Sequence, residues 1–136
     1  MKLQLYLPIR PEPQARPRAN FKNRHTYSEH PDFYYICFLE ATKKAPPRPL
    51  TGALRLCVRF VYKRPSAHNF EIYKTSRADL DNLEKAVMDA LTRAKWWTDD
   101  ALVASKYSTK VWGDRDGCEI QVDTLRNVVN FGEGWR

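Results

Sequence analysis

Between Leu54 and Lys63 the side chains alternate without a break. Leu54, Leu56, Val58, Phe60 and Tyr62 fall on one face, and Arg55, Cys57, Arg59, Val61 and Lys63 on the other. A repeat of two residues is that of a β-strand with one face buried. Such a strand must pair into a sheet whose apolar side is covered. A cover is written in residues 80–94, where Leu83, Ala86, Val87, Ala90, Leu91 and Ala94 recur at helical spacing. Asp81, Lys85 and Asp89 share another side of that helix.

The remaining elements follow from local signals. Residues 3–9 alternate Leu3, Leu5 and Leu7 and predict a first strand. Residues 10–27 hold Pro11, Pro13 and Pro17 among arginines and read as a long basic loop. Residues 31–44 predict a helix opened by Pro31, with Phe33, Ile36, Cys37 and Leu39 as its apolar stripe. Residues 64–77 read as a polar loop. Residues 101–112 and 117–125 predict two strands, joined by a hairpin turn at Gly113-Asp114-Arg115-Asp116-Gly117. The order β-α-β-α-β-β predicts an α+β fold, a single domain with a mixed β-sheet and two main helices. The expected domain is 1–126, with a tail at 127–136.

A chain of 136 residues suits one domain. Cys37, Cys57 and Cys118 are scattered, with no C-x-x-C pair, which fits reduced thiols and argues against a zinc knuckle. The first residues lack the apolar run of a secretion signal, and no stretch is long enough to cross a bilayer. These features place the expected protein in a bacterial cytoplasm. Residues 1–70 carry 13 Lys/Arg against 4 Asp/Glu, whereas residues 71–136 carry 10 against 12. That asymmetry sets a basic half suited to a polyanion beside a more acidic half.

The acids are concentrated in Arg77–Asp100, RADLDNLEKAVMDALTRAKWWTDD. Asp79 and Asp81 stand at the mouth of a helix, and Asp99 and Asp100 at the mouth of a strand. Clustered carboxylates suit hard divalent ions such as Mg²⁺, which activate water for phosphodiester hydrolysis. Acids at a helix start also serve as caps and favour the helix dipole, and Asp81–Lys85 also reads as a surface ion pair. His25, His30 and His68 have no paired spacing for zinc. The helix separates Asp79 and Asp81 from Asp100. Unless that helix is shorter or bent, either the Trp96-Trp97 segment doubles back along it or a second subunit completes the site. The aromatic residues Phe33, Tyr34, Tyr35, Trp96 and Trp97 read equally as subunit interface or as core.

The run Asp79-Leu80-Asp81-Asn82-Leu83-Glu84-Lys85-Ala86, followed by Asp89-Ala90-Leu91 and Asp99-Asp100, closely resembles the signature of RusA-type Holliday-junction resolvases. Pro13-Gln14-Ala15-Arg16-Pro17-Arg18, with Tyr27 beyond, is similar to the basic segment of that family. The resemblance implies a Mg²⁺-dependent endodeoxyribonuclease, with Mn²⁺ able to substitute. It also implies a homodimer, frequently phage- or prophage-encoded, that nicks a four-way DNA junction symmetrically. By the same resemblance Asp79, Asp81 and Asp100 are the metal ligands, Lys85 assists cleavage, and Asp99 is a weaker candidate. Gln14-Ala15 stands where relatives often carry Lys-Gly, and Ala78 where some carry a base. Arg16, Arg18, Lys22 and Arg24 are the expected DNA-binding residues, with Phe21 and Tyr27 placed to stack on opened bases.

Two rival readings remain at this level. One is a non-catalytic, structure-selective DNA-binding protein whose acids only start a helix. The other is a metal enzyme acting on a small phosphorylated substrate, against which the basic first half weighs.

Overall fold

The alternation at the centre of the chain is obeyed in the computed structural model, which describes residues 1–14, 32–68 and 70–129. Arg16, Arg18, Phe21, Lys22, Arg24 and Tyr27 lie outside the described residues, as do residues 130–136 of the expected tail. Strand β2 (Leu54–Lys63) buries Leu54, Leu56, Val58, Phe60 and Tyr62 and leaves Arg55 and Arg59 exposed. It pairs on one side with β3 (Val103–Gly113) in parallel and on the other with β4 (Gly117–Thr124) antiparallel. Strand β1 (Lys2–Leu7) pairs antiparallel with β4, so the sheet order is β1-β4-β2-β3. Helices α1 (Phe33–Lys43) and α2 (Leu80–Arg93) pack against each other over the apolar face. The α+β class and the order of elements match the sequence expectation.

The expected hairpin between the last two strands does not form. Strand β3 returns parallel to β2 through a crossover containing α2, as parallel pairing requires. Strand β4 lies on the far side of β2, so residues 113–117 must arch over the end of that strand. The arch is tied down by Lys63 N donating to Asp116 Oδ1 at 2.8 Å and Arg64 N donating to Gly113 O at 2.9 Å. A Cβ on Gly113 would lie 2.6 Å from Val61 Cγ1, so any larger residue would force Val61 or the arch to shift. Turn residues signal a reversal but not how many strand spacings it crosses.

Helix α1 begins at Phe33 rather than at Pro31. Asp32 caps it, its Oδ1 accepting from Tyr35 N at 2.7 Å. The buried row is Phe33, Cys37 and Ala41, spaced by four, while Leu39 is exposed. Phe33 meets Phe60 edge-on, 6.4 Å between ring centres. Burial pushes the Cys37 thiol up to about 12 and raises that of Cys118 well above its ordinary value, so both are protonated packing groups. All three cysteines are free.

Helix α2 ends in a Schellman turn. Lys95 takes the left-handed conformation (φ 64°), Lys95 N donates to Thr92 O, and Trp96 N donates to Leu91 O, each at 3.1 Å. Trp96 and Trp97 then drop fully into the core, which settles their role as packing residues. Trp96 Nε1 donates to Ala41 O at 2.8 Å and Trp97 Nε1 to Thr92 Oγ1 at 2.6 Å. No helix among the described residues is long and apolar enough to cross a membrane.

Candidate active site

Three aspartates occupy helix starts, and two of them cap. Asp32 holds Tyr35 N, and Asp99 accepts from Ala101 N at 2.8 Å, opening the single 3-10 turn Asp100–Leu102. Asp79 stands at the N-cap position of α2 with extended backbone (φ −68°, ψ 137°), and Leu83 N donates to its carbonyl at 3.1 Å. Its carboxylate makes no capping bond. The helix thereby forgoes about 1 kcal/mol that a cap typically contributes.

Asp81 follows in the first turn, and Lys85 lies one turn further. All three residues are exposed. Among the described residues none of their side chains has a hydrogen-bond or ion-pair partner, so the Asp81–Lys85 surface pair is not formed. Asp79 and Asn82 help to line a cleft of about 680 Å³ whose other walls include Arg10, Pro11, Tyr62 and Arg77. Tyr62 is buried and anchors Pro11 by donating its hydroxyl to the Pro11 carbonyl at 2.8 Å. Arg10 lies over the Tyr62 ring at 5.0 Å and pairs with Asp116 at 3.6 Å.

The segment feeding α2 is more than the polar loop expected from sequence. Residues 72–74 lie along the outer edge of β3, with Trp112 N donating to Ile72 O at 3.0 Å and Lys74 N to Lys110 O at 3.1 Å. Lys74 is 5% exposed, its ammonium group over the rings of Tyr62 (4.8 Å) and Trp112 (5.5 Å). It donates to Ser76 O and Ser76 Oγ at 3.1 and 3.0 Å. Burial lowers the Lys74 pKa, and nearby Lys110 and Arg10 lower it further. Lys110 Nζ donates to the carbonyls of Ser76 and Ala78, both at 2.7 Å. Neither lysine carries a sequence signal of its role. The β3 alternation could have placed Lys110 on the helix side, since it pairs with inward-facing Phe60. Phe70, Ile72 and Tyr73 add an exposed apolar surface to this loop.

Asp100 lies elsewhere. Lys106 reaches Glu84 at 2.6 Å and Lys110 reaches Ala78, so β3 runs antiparallel to α2. Its first residue is therefore near the end of the helix remote from Asp79. Val103 to Lys110 alone covers roughly 23 Å at the rise of a strand. The chain does double back along α2, but it does so after Asp100. Among the described residues, no three His, Cys, Asp or Glu side chains are grouped to hold an ion. Thus one chain brings Asp79 and Asp81 together at a helix start and does not add Asp100 to them.

The signature residues sit in a chain that matches the endodeoxyribonuclease RusA family model over residues 8–123. This chain belongs to the RusA family. A crossover junction endodeoxyribonuclease of Lactococcus phage r1t is 33% identical over 69 residues, covering 51% of this chain and 53% of that protein. The crossover junction endodeoxyribonuclease RusA of Escherichia coli K12 is 67% identical over 52 residues, covering 38% of this chain and 43% of the relative. The chain therefore spans about half the length of the curated RusA relatives it matches, or less.

Proposed function

We propose that this RusA-family chain is a Mg²⁺-dependent endodeoxyribonuclease that resolves four-way DNA junctions by paired symmetric nicks. It acts in recombination and repair, in the cytoplasm of a bacterium carrying it on the chromosome, a prophage or a phage. The observation that carries this reading is the Asp79 carboxylate, set at a helix start yet withheld from capping, two residues from an Asp81 that is equally uncommitted among the described residues.

Two exposed, unpartnered carboxylates are hard oxygen donors of the kind Mg²⁺ or Mn²⁺ takes, with water filling the other positions. They form a partial set, and the reading assigns the third ligand to Asp100 of a second copy. A twofold dimer that brings the start of α2 in one copy to the 3-10 turn of the other creates two equivalent sites. That number suits two symmetric nicks. When bound, the metal supplies Lewis acidity, lowering the pKa of water and neutralising a departing oxygen. Asp79 and Asp81 would hold that ion beside the scissile phosphate, and Lys85 would offset the negative charge that builds in the transition state. Arg10 and Arg77, beside Asp79 in the cleft, grip the phosphates flanking the cut, joined by Arg16, Arg18, Lys22 and Arg24 of the basic loop.

The test is cleavage of an immobile four-way junction beside a linear duplex, in Mg²⁺ and in EDTA. Paired nicks confined to the junction and dependent on Mg²⁺ support the reading. Tight junction binding without nicking in Mg²⁺ or Mn²⁺ would replace it with a non-catalytic, structure-selective DNA-binding role. Sedimentation of the full chain as a monomer while it cleaves would overturn the shared site.

A further inference from the structure

We propose that Lys110 is a positioning residue for the acidic pair, acting through the backbone that delivers Asp79. The role rests on the reading of Asp79 and Asp81 as metal ligands.

The Asp79 carboxylate makes no capping bond, and among the described residues no partner fixes its direction. What fixes it is the chain immediately before it. The Lys110 ammonium group donates to two carbonyls at once, Ser76 O and Ala78 O, both at 2.7 Å. These flank Arg77 and lead directly into Asp79. Ser76 O also receives Lys74 Nζ at 3.1 Å, so two cations converge on one carbonyl. Placing like charges this close opposes the fold, and it is tolerated where hydrogen bonds to charged donors hold the arrangement.

Lys110 is itself held firmly. It lies in β3, registered on Phe60 of β2, with Lys74 N donating to its carbonyl at 3.1 Å. Four residues earlier on the same face of β3, Lys106 grips Glu84 of α2 at 2.6 Å. One strand thus clasps the helix start on both sides of the acids, at residues 76–78 before them and at residue 84 after them. A carboxylate that must meet an ion within a fraction of an ångström needs such an orienting partner behind it, and removing partners of this kind typically weakens metal affinity by about 10–100-fold.

The sign of the effect separates this role from simple electrostatics. Removing a positive charge near a cation site favours cation binding through Coulomb's law. Loss of a positioning contact disfavours it. The experiment is a Mn²⁺ titration of the full chain, read by the EPR signal of the free ion, for wild type, K110M, K110R and D79N. Junction affinity in EDTA and thermal melting are measured alongside. K110M is expected to bind Mn²⁺ roughly tenfold or more weakly, to hold the junction within about twofold of wild type, and to be largely rescued in K110R, which keeps charge and donors. K110Q, neutral but similar in bulk, carries the same expectation and replaces K110M if that variant does not fold. Mn²⁺ affinity in K110M or K110Q equal to or tighter than wild type, while D79N loses binding, overturns the positioning role alone. Undiminished Mn²⁺ binding in D79N overturns the metal site itself, and the role of Lys110 with it.

Discussion

The two ends of α2 are built on opposite principles. At its C-terminal end the backbone demands are met by the helix's own turn, and the side chains that follow are partnered and buried. The Schellman turn satisfies Leu91 and Thr92 carbonyls, and two buried tryptophans each find an acceptor for their ring N–H. At its N-terminal end the natural cap, Asp79, is left unused, Asp81 and Lys85 stand without partners among the described residues, and the approach is secured by lysines from outside the helix. At one end the polar groups are committed to stability, whereas at the other two carboxylates stay uncommitted and the chain before them is held by lysines of other segments. That difference sets the N-terminal end apart as the candidate site.

The contrast can be broken most decisively at Asp79. D79N is expected to lower junction cleavage by at least about a thousandfold, an effect of ~4 kcal/mol on the barrier, while binding in EDTA is retained. A gel assay of nicking under single-turnover conditions reads this directly, and cleavage at the wild-type rate would remove Asp79 from the site. At the other end the expected loss is one of stability. W97A empties a fully buried volume and should cost ~3–5 kcal/mol in urea denaturation, as large aromatic-to-alanine changes do.

Two smaller effects concern helix capping. D32A removes a working cap and should cost ~1 kcal/mol. D79A removes only a favourable dipole contribution of ~0.3–0.5 kcal/mol. Equal costs in denaturation would mean that Asp79 caps its helix in solution. The smallest effect is expected at Lys95, whose left-handed backbone suits glycine. K95G should stabilise by roughly 0.5 kcal/mol, after the extra unfolded-state entropy of glycine is subtracted, and a lowered melting temperature would show that the Lys95 side chain contributes packing there.

Much of the fold was legible because periodicity reports burial directly. The alternation of Leu54 to Tyr62 and the helical spacing of Leu83 to Leu91 each named an inward face, and those faces are buried. The hairpin at residues 113–117 was misread because turn chemistry is local, while the insertion of β2 between β3 and β4 is a long-range outcome of where α2 delivers β3. Leu39 was misassigned because several rows on a short helix are apolar, and only the neighbours of α1 decide which row is covered. The acidic pair was visible from spacing at a helix start. The remoteness of Asp100 was visible only as a length problem.

By itself, then, the sequence determined the element order, the apolar faces and the pairing of Asp79 with Asp81, since each depends on residues near one another in the chain. Only the tertiary structure decided that Asp79 forgoes its cap, that Asp100 lies at the far end of α2, and that Lys74 and Lys110 converge on the carbonyls before the acids. Those features depend on contacts between segments distant in sequence, set by sheet register and by competition for burial, and no local pattern of residues encodes them.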